Sequence, residues 1–353
     1  MQFIFLMLNR SGFLVCLCCL LFSMNTSAFA NEADSLDWDS AFNVAEYKRP
    51  WMDDIQFNGF LSQGLFHSSG YNVHGKSKNN IASGLTEVGL NMAYQATDRL
   101  SFAAQGLYRR GGATTGDAGE FSLDFAFFDY TVFGFSQGQI GVRGGRVKNP
   151  WGLYNSTRDV SFTRPTILLP LIYFERSRAL LLSMDGGQFY TDYHTDWGDF
   201  TFKLNVGLMD SGDTELLYAV VNNTDAQGSL DSSVNLVTQL KYEMSGGKYV
   251  LALSYADVGL KYKQSSVLDK YAGLNVKLNS LLLSAQYNGE KWSLEAEYDM
   301  QWNDFTGIPH ILPVSEVITE HWYIQTGYRV LDNLQMLFRY DSSTQDINDR
   351  QGL

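Results

Sequence analysis

The basic residues between Gly144 and Ala179 are the side chains of this chain whose type and spacing best fit a chemical role. This segment has a local charge of +4, from six basic and two acidic side chains, whereas the whole chain has a formal net charge of −12. Arginine presents a planar set of donors that matches the oxygens of carboxylates and phosphates. The pattern therefore predicts a site that attracts anions. Its six basic residues are Arg146, Lys148, Arg158, Arg164, Arg176 and Arg178.

Catalytic chemistry has little support elsewhere in the chain. The five histidines stand singly, and no pair has the spacing of metal ligands. His321 lies where a rim active site of a barrel enzyme would need it, but no Gly-x-Ser-x-Gly motif accompanies it. We therefore predict a protein that is not an enzyme, with no catalytic residues, no metal and no cofactor. The acidic balance also argues against nucleic acid as a partner.

Strict alternation of apolar and polar residues is the strongest pattern in the chain. In WSLEAEYDMQW, residues 292–302, an apolar set alternates with a polar set that includes Glu295, Glu297 and Asp299. Successive side chains of a β-strand point to opposite faces, so this segment would have one apolar and one wet face. The segments FTFKLNVGL, HWYIQTGYRV and LQMLFRY alternate in the same way. The pattern predicts an all-β fold.

The spacing of aromatic residues separates a membrane barrel from a soluble β-sandwich, which would also alternate. Trp292 and Trp302 lie ten residues apart. In a strand tilted by about 45° this is roughly 23 Å along the barrel axis, close to the ~25 Å apolar band of outer-membrane barrels. Amphipathic rings at strand ends suit the headgroup level of a bilayer. Seven tyrosines repeat this placement: Tyr94, Tyr108, Tyr190, Tyr242, Tyr249, Tyr287 and Tyr328. We predict a transmembrane, up-and-down antiparallel β-barrel in the bacterial outer membrane.

The lengths of the connections support the same architecture. Six short connections, such as 97–99 and 289–291, alternate with six long ones, of which the basic segment 144–179 is the third and longest. Such alternation is typical of short periplasmic turns and long extracellular loops. Thirteen strands lie between these connections, and a change of phase in the fourth, FSLDFAFFDYTVF, indicates a β-bulge. Because bacterial barrels have an even number of strands, we expect a C-terminal truncation of a barrel with about 16 strands.

The N-terminal residues predict export from the cytoplasm. Residues 1–30 contain Arg10, the apolar run FLVCLCCLLF and the small-residue pattern SAFA, which together indicate a cleaved signal peptide. All three cysteines lie in this segment, so the mature chain would have neither a disulfide nor a thiol nucleophile. We expect 31–54 to be a short periplasmic segment and 55–353 to be the barrel.

Charged residues on the predicted wet faces would line the lumen. Glu295, Glu297 and Asp299 form an acidic stripe on one strand, and the predicted basic residues stand at different heights rather than in one ring. Opposed charges would create a transverse field that orients polar solutes, but charged side chains also simply keep a lumen filled with water. The predicted basic wall residues are Arg109, Arg143, Lys203, Lys241, Arg329 and Arg339.

The basic segment also resembles a known family. GRVKNPWGLYNSTRDVSFTRPTILLP, with IYFERSR and DGGQFY after it, is similar to the constriction-loop region of the Gram-negative porin superfamily, in the group of phosphate-selective porin O/P-like and dicarboxylate porins. The resemblance implies a trimeric diffusion channel of about 16 strands with its third loop folded into the pore. The loop cations are mostly arginine, whereas phosphate-specific members have lysine-rich sites.

Together these features predict a channel through which small hydrophilic solutes diffuse, with a preference for anions. Outer-membrane lipid, lipopolysaccharide and two further copies of the chain would be its partners. Two alternatives stay open from the sequence. In the first alternative, the third loop points outward and is solvated, although its apolar run ILLPLIYF would then be exposed to water at a cost. In the second alternative, the barrel serves mainly for surface binding or adhesion through its long loops.

Overall fold

A single β-sheet of sequentially paired strands makes up most of the chain. The computed structural model describes residues 2–9, 12–17, 55–69, 72, 75–111, 119–160, 163–173, 178–212, 214–221, 226–266, 269–308 and 316–350. The strands are β1 (Gln2–Asn9), β2 (Gly12–Leu17), β3 (Ile55–Phe66), β4 (Ala82–Gln95), β5 (Leu100–Gly111), β6 (Glu120–Phe135), β7 (Gly138–Lys148), β8 (Ser183–Thr195), β9 (Gly198–Met209), β10 (Ser229–Ser232), β11 (Val234–Met244), β12 (Tyr249–Lys263), β13 (Asn275–Asn288), β14 (Trp292–Thr306), β15 (Glu316–Leu331) and β16 (Leu334–Thr344).

Short helices lie in the connections between strands. They are α1 (Arg178–Leu182), α2 (Thr214–Val221) and two 3-10 turns, Leu171–Tyr173 and Ile347–Asp349. None of the helices in the described ranges is long and apolar enough to cross a bilayer.

From β3 onward the strands form an up-and-down antiparallel wall, in which each strand pairs with its sequence neighbours. β10 and β11 are separated only by Ser233, and both pair with β12, so they act as one interrupted strand. The fourteen strands from β3 to β16 therefore make thirteen positions in the wall. The predicted architecture and the predicted count of thirteen are confirmed.

The connections alternate in length as expected. All six short connections are confirmed, and those at 136–137, 196–197 and 332–333 contain only two residues. The third long connection differs from its predicted extent at both ends. Pairing of β7 with β8 continues as far as Lys148 opposite Ser183, because backbone groups in a continuing ladder stay hydrogen-bonded. Arg146 and Lys148 therefore belong to a strand and Arg178 to α1, so none of the three lies in the loop proper.

The phase change predicted in the fourth wall strand is a β-bulge in β6. Gln105 pairs with Phe125 whereas Gly106 pairs with Leu123, which leaves Asp124 as the extra residue. A second register shift occurs further along β6, between Thr131 and Phe133. The first bulge directs Asp124 to the interior, where it is completely buried.

The outward face of the wall is apolar, as the alternation predicted. In β14, Trp292 and Leu294 are 55% and 49% exposed, whereas the acidic residues that follow at alternate positions, Glu295, Glu297 and Asp299, face inward and are buried. The same large exposed side chains occur on other strands, for example Leu251, Leu283 and Ile324. An apolar exterior of this extent is stable in a bilayer rather than in water. The wall therefore has the apolar outward face of a membrane-spanning β-barrel.

Aromatic pairs stand on the outward face near the short turns. The rings of Trp292 and Tyr328 are 4.5 Å apart, and those of Tyr249 and Tyr287 are 5.2 Å apart. Tyr190 was expected in this girdle, but that expectation is wrong. Its strand position faces the lumen, where its hydroxyl donates to Asp129, so it is buried inside the barrel.

The N-terminal segment adds a hairpin to the wall. β1 pairs in parallel with β16 and antiparallel with β2. The edge of β16 would otherwise expose unpaired backbone donors and acceptors, and pairing with β1 satisfies them. Cleavage of residues 1–30 in the cell stays a prediction, as do the limits of the other two segments. Residues 18–54 lie outside the described part of the chain.

Candidate functional site: the third loop inside the barrel

Loop 3, which we define as residues 149–177 between β7 and α1, lies inside the barrel. Its Gly152 amide donates to the Ser254 hydroxyl of β12 at 3.2 Å, and the Gln239 amide of β11 donates back to the Gly152 carbonyl at 2.9 Å. Both partners are buried residues on the inward face of the wall. The prediction that this loop folds into the lumen is confirmed, and the alternative of an outward loop is excluded for its described residues.

Glu297 of β14 fixes the first half of loop 3. Its carboxylate accepts hydrogen bonds from the Tyr173 hydroxyl at 2.6 Å and from the Leu153 backbone N–H at 2.9 Å. Ser284 and Tyr323 donate to the same carboxylate from the neighbouring strands, at 2.6 and 2.9 Å. Four donors satisfy an ionised carboxylate without a cation.

Glu295, two residues earlier, holds the adjacent part of the loop. It accepts hydrogen bonds from the Tyr154 hydroxyl, from Gln325 at 2.8 Å and from Gln286 at 3.2 Å. We call Tyr154, Tyr173, Glu295 and Glu297 the acid–tyrosine anchor.

Burial keeps both tyrosines of the acid–tyrosine anchor protonated. It raises the pKa of Tyr154 and of Tyr173 well above the ordinary value of 10.0. Glu295 and Glu297 raise the pKa of Tyr154 further, and Glu297 raises that of Tyr173. The hydroxyls therefore remain hydrogen-bond donors at neutral pH.

Gly152 allows the loop to approach the anchor closely. It has a positive φ of 59°, a backbone conformation that glycine adopts at little cost. A Cβ atom at this position would lie 2.5 Å from the Tyr173 hydroxyl and 2.7 Å from a Glu297 oxygen. A side chain would therefore displace the loop from the carboxylate that holds it.

A salt-bridge cluster closes the base of loop 3. It consists of Lys148, Asp159, Arg178 and the bulge residue Asp124. Lys148 and Arg178 both contact the Asp159 carboxylate directly, and they lie 4.0 and 3.9 Å from Asp124. Two cations face two almost fully buried carboxylates, so the cluster is neutral overall.

A second group of paired charges joins the loop to the opposite wall. Glu87 of β4 accepts hydrogen bonds from Arg164 of loop 3 at 3.0 Å and from Arg109 of β5 at 3.1 Å. Arg164 also donates to the Ile167 carbonyl of its own loop. Both guanidinium groups are therefore committed to structural contacts.

Arg339 of β16 holds the end of the loop. Its guanidinium is completely buried and donates to the Leu168 and Leu169 carbonyls at 2.8 and 3.3 Å, while Asp341 balances its charge at 2.8 Å. The Asp341 carboxylate also accepts from the Leu171 backbone N–H at 3.1 Å. Side chains of β4, β14 and β16 thus all hold the same loop.

The remaining predicted loop residues do not share one site. Arg158 is buried and donates to the Asn155 side chain and to the Tyr173 carbonyl, so it stabilises the loop's own backbone. Arg146 pairs instead with Asp185 at 3.6 Å and Asp210 at 3.1 Å, outside the loop. Arg176 lies outside the described residues.

Three of the predicted wall cations lie near one another below loop 3. Arg143 of β7, Lys203 of β9 and Lys241 of β11 form what we call the basic ladder, since Arg143 and Lys241 both act electrostatically on Lys203. Arg143 pairs with Asp129 at 2.7 Å, and Lys241 pairs with Glu243 at 3.2 Å.

Lys203 makes no ion pair with any residue in the described ranges. Strand register staggers the three, since Lys203 pairs with Gln239 and Lys241 pairs with Thr201, so they do not form one ring. The other three, Arg109, Arg329 and Arg339, lie elsewhere in the wall.

Several functional residues escaped the sequence-based prediction. Glu87, Asp124 and Asp129 neutralise predicted cations, and Tyr154 and Tyr173 bind the acidic stripe. Only Asp124 had a detectable signal, the change of phase at the bulge. The third member of the stripe, Asp299, also faces inward and accepts from Ser280 and Gln301 rather than from the loop.

Comparison with known proteins shows likeness in fold. No protein-family model matches the chain, and no curated protein sequence matches it. An anion-selective porin from Comamonas acidovorans is 13% identical, with 84% of this chain and 80% of that chain covered and a TM-score of 0.54. OmpF of Salmonella typhi, in complex with daunomycin, is also 13% identical, with coverages of 82% and 79% and a TM-score of 0.50.

The outer-membrane channel DcaP of Acinetobacter baumannii covers 85% of this chain and 93% of its own at 9% identity, but its TM-score of 0.39 is too low to compare folds. Membership of the phosphate-selective or dicarboxylate group stays a prediction. The chain has the barrel fold of Gram-negative outer-membrane porins.

Proposed function

We propose that this protein is an outer-membrane porin through which small hydrophilic solutes diffuse passively, with a modest preference for anions. The observation that carries the proposal is loop 3, which contacts from β4, β12, β14 and β16 hold inside the barrel. A loop in this position narrows the lumen of a barrel without an added domain. The proposal includes no catalytic step. The fold shared with an anion-selective porin supports it.

The proposed anion preference rests on the basic ladder rather than on loop 3. Paired charges of opposite sign cancel at distances larger than their separation, so the salt-bridge cluster contributes little field along the pore. Lys203 is the ladder cation without an ion-pair partner in the described part of the chain. Asp192 on β8 lies nearby and accepts from Gln139 and Thr201, which limits the expected preference.

Reversal potentials in planar bilayers under a KCl gradient test the proposal. We expect the wild type to conduct and to favour chloride, and we expect Lys203→Gln to shift the reversal potential towards zero. The charge-matched control is Lys248→Gln, in the short turn before β12, whose ammonium lies over the outward rings of Tyr249 and Tyr287. This control should keep the wild-type selectivity.

Two results would contradict the proposal in different ways. A purified barrel without any conductance would contradict the channel and favour the surface-binding alternative. A channel that favours potassium, or a Lys203→Gln variant with unchanged selectivity, would contradict the role of the basic ladder.

Homotrimeric assembly in contact with lipid and lipopolysaccharide is part of the same proposal, supported by the apolar outward face.

A further inference from the structure

A recess opens below loop 3, at the end of the barrel that carries the short turns. It has a volume of about 300 Å³ and lies between loop 3 and the ends of β13 to β16. We infer that this recess binds a small hydroxylated monocarboxylate, that is, a sugar acid. The inference rests on the proposed channel function and names a solute class for it.

The strand register directs polar side chains into the recess. Ser293 pairs with Gly327 and Arg329 pairs with Gln335, all at inward positions of neighbouring strands. Loop 3 closes the opposite side with Tyr154 and Arg164. The recess is therefore enclosed by two independent parts of the fold, which is typical of a formed solute site.

Two unpaired cations give the recess its charge. Lys291 and Arg329 line it and make no ion pair with a residue in the described ranges, whereas Arg164 is engaged by Glu87. Two carboxylates, Glu290 and Glu295, also line it. Because Glu87 already balances Arg164, Lys291 and Arg329 are the two lining cations that stay available to a carboxylate of a solute. Arg329 can bind such a group through two parallel N–H donors.

Amide and hydroxyl groups complete the lining. Gln286 donates to Glu295 at 3.2 Å, and Gln335 donates to the Ser293 hydroxyl at 3.4 Å. These bonds orient both amides while their carbonyl oxygens accept no hydrogen bond from a residue in the described part of the chain. Free acceptors beside cations suit a solute with several hydroxyls and one carboxylate.

Gly327 lies between two side chains that line the recess, Ser293 and Gln335. A Cβ atom built on it would clash with the Ser293 hydroxyl and with the Gln335 amide nitrogen. Even a methyl group would therefore displace the two polar side chains that flank it. Glycine at this position therefore lets the Ser293 and Gln335 side chains keep the places from which they line the recess.

Calorimetric titration of the detergent-purified full chain tests the inference without a membrane. We expect gluconate to bind measurably, glucose to bind at least about tenfold more weakly, and Arg329→Gln to weaken gluconate binding about tenfold. Gly327→Ala should also weaken gluconate binding, although it changes no charge. Lys248→Gln is the control and should bind gluconate like the wild type.

The other possible outcomes of this titration would overturn the inference. Equal affinity for gluconate and glucose, tighter binding of zwitterionic alanine, or an Arg329→Gln variant that binds like the wild type would overturn the inference. Bilayer conductance, recorded for every variant, separates the two proposals. Gluconate binding without conductance would support the solute site in the recess and contradict the channel function. Conductance without gluconate binding would support the channel function and contradict the solute site.

Discussion

The salt-bridge cluster at the base of loop 3 and the basic ladder on the wall use the same residue types for different purposes. In the cluster, Lys148 and Arg178 meet Asp124 and Asp159, and both carboxylates are almost completely removed from water. In the ladder, the Arg143 and Lys241 side chains keep 27% and 31% of their surface exposed. Basic residues of one barrel thus either hold a loop or face the solute path.

This difference shows why local charge in a sequence is an incomplete guide to selectivity. The loop segment has a charge of +4 by sequence, yet wall carboxylates far away in the chain neutralise much of it. A cation affects passing ions only where the fold leaves it without a close carboxylate.

The largest expected effect concerns the cluster. Asp159→Asn would leave Lys148 and Arg178 buried with only the more distant Asp124, and breaking a buried ion pair costs about 3–5 kcal/mol. Urea unfolding in detergent, followed by tryptophan fluorescence, measures this loss. Asp185→Asn is the matched control because Asp185 is 65% exposed and pairs with Arg146 at the surface, so its loss should cost less than about 1 kcal/mol. Equal losses for both variants would contradict the contrast between buried and exposed pairs.

A second effect concerns the acid–tyrosine anchor. Glu297→Ala removes the acceptor for Tyr173, Tyr323 and the Leu153 amide, and leaves these donors buried. We expect a loss of about 2–3 kcal/mol in unfolding free energy and larger current fluctuations in single-channel recordings, because the loop is less firmly held. Glu120→Ala, at the exposed start of β6, is the control. Quiet currents in Glu297→Ala would show that the loop does not depend on this carboxylate.

The smallest expected effect is a pH dependence of the acid–tyrosine anchor. The folded-state pKa of Tyr173 is raised above its unfolded value near 10.0, so its stabilising contribution is complete below about pH 10. It should decline as the pH rises above that value towards the folded-state pKa. The difference in unfolding free energy between wild type and Tyr173→Phe, measured from pH 8 to about pH 11, should therefore shrink at the alkaline end. A constant difference would contradict an anchor that depends on the protonated hydroxyl.

Much of the fold could be predicted from local patterns. Alternation in residues 292–302 identified a strand with one apolar face, and the phase change in the fourth strand identified the bulge. Both signals lie within a few neighbouring residues, because side-chain direction in a strand depends only on position along it. The connection lengths then placed the basic segment as the third long loop.

The contacts of the site could not be predicted in the same way. Tyr173 and Glu297 are 124 residues apart in the chain, and Arg339 and Leu168 are 171 apart. No local pattern marks Tyr154 or Tyr173 as partners of an acidic stripe, since tyrosine is equally common in girdles. Arg146 and Lys148 were assigned to the loop from the length of the connection, but the β7–β8 ladder extends through both.

The amino-acid sequence by itself determined the barrel: its wet and apolar faces, its thirteen wall strands and the place of the long basic connection. These properties follow from a period of two residues and from turn lengths, which are local. Only the tertiary structure decided which cations are neutralised and which remain open to the lumen. That outcome depends on strand register and on the path of loop 3 through the barrel, which together bring distant residues into contact.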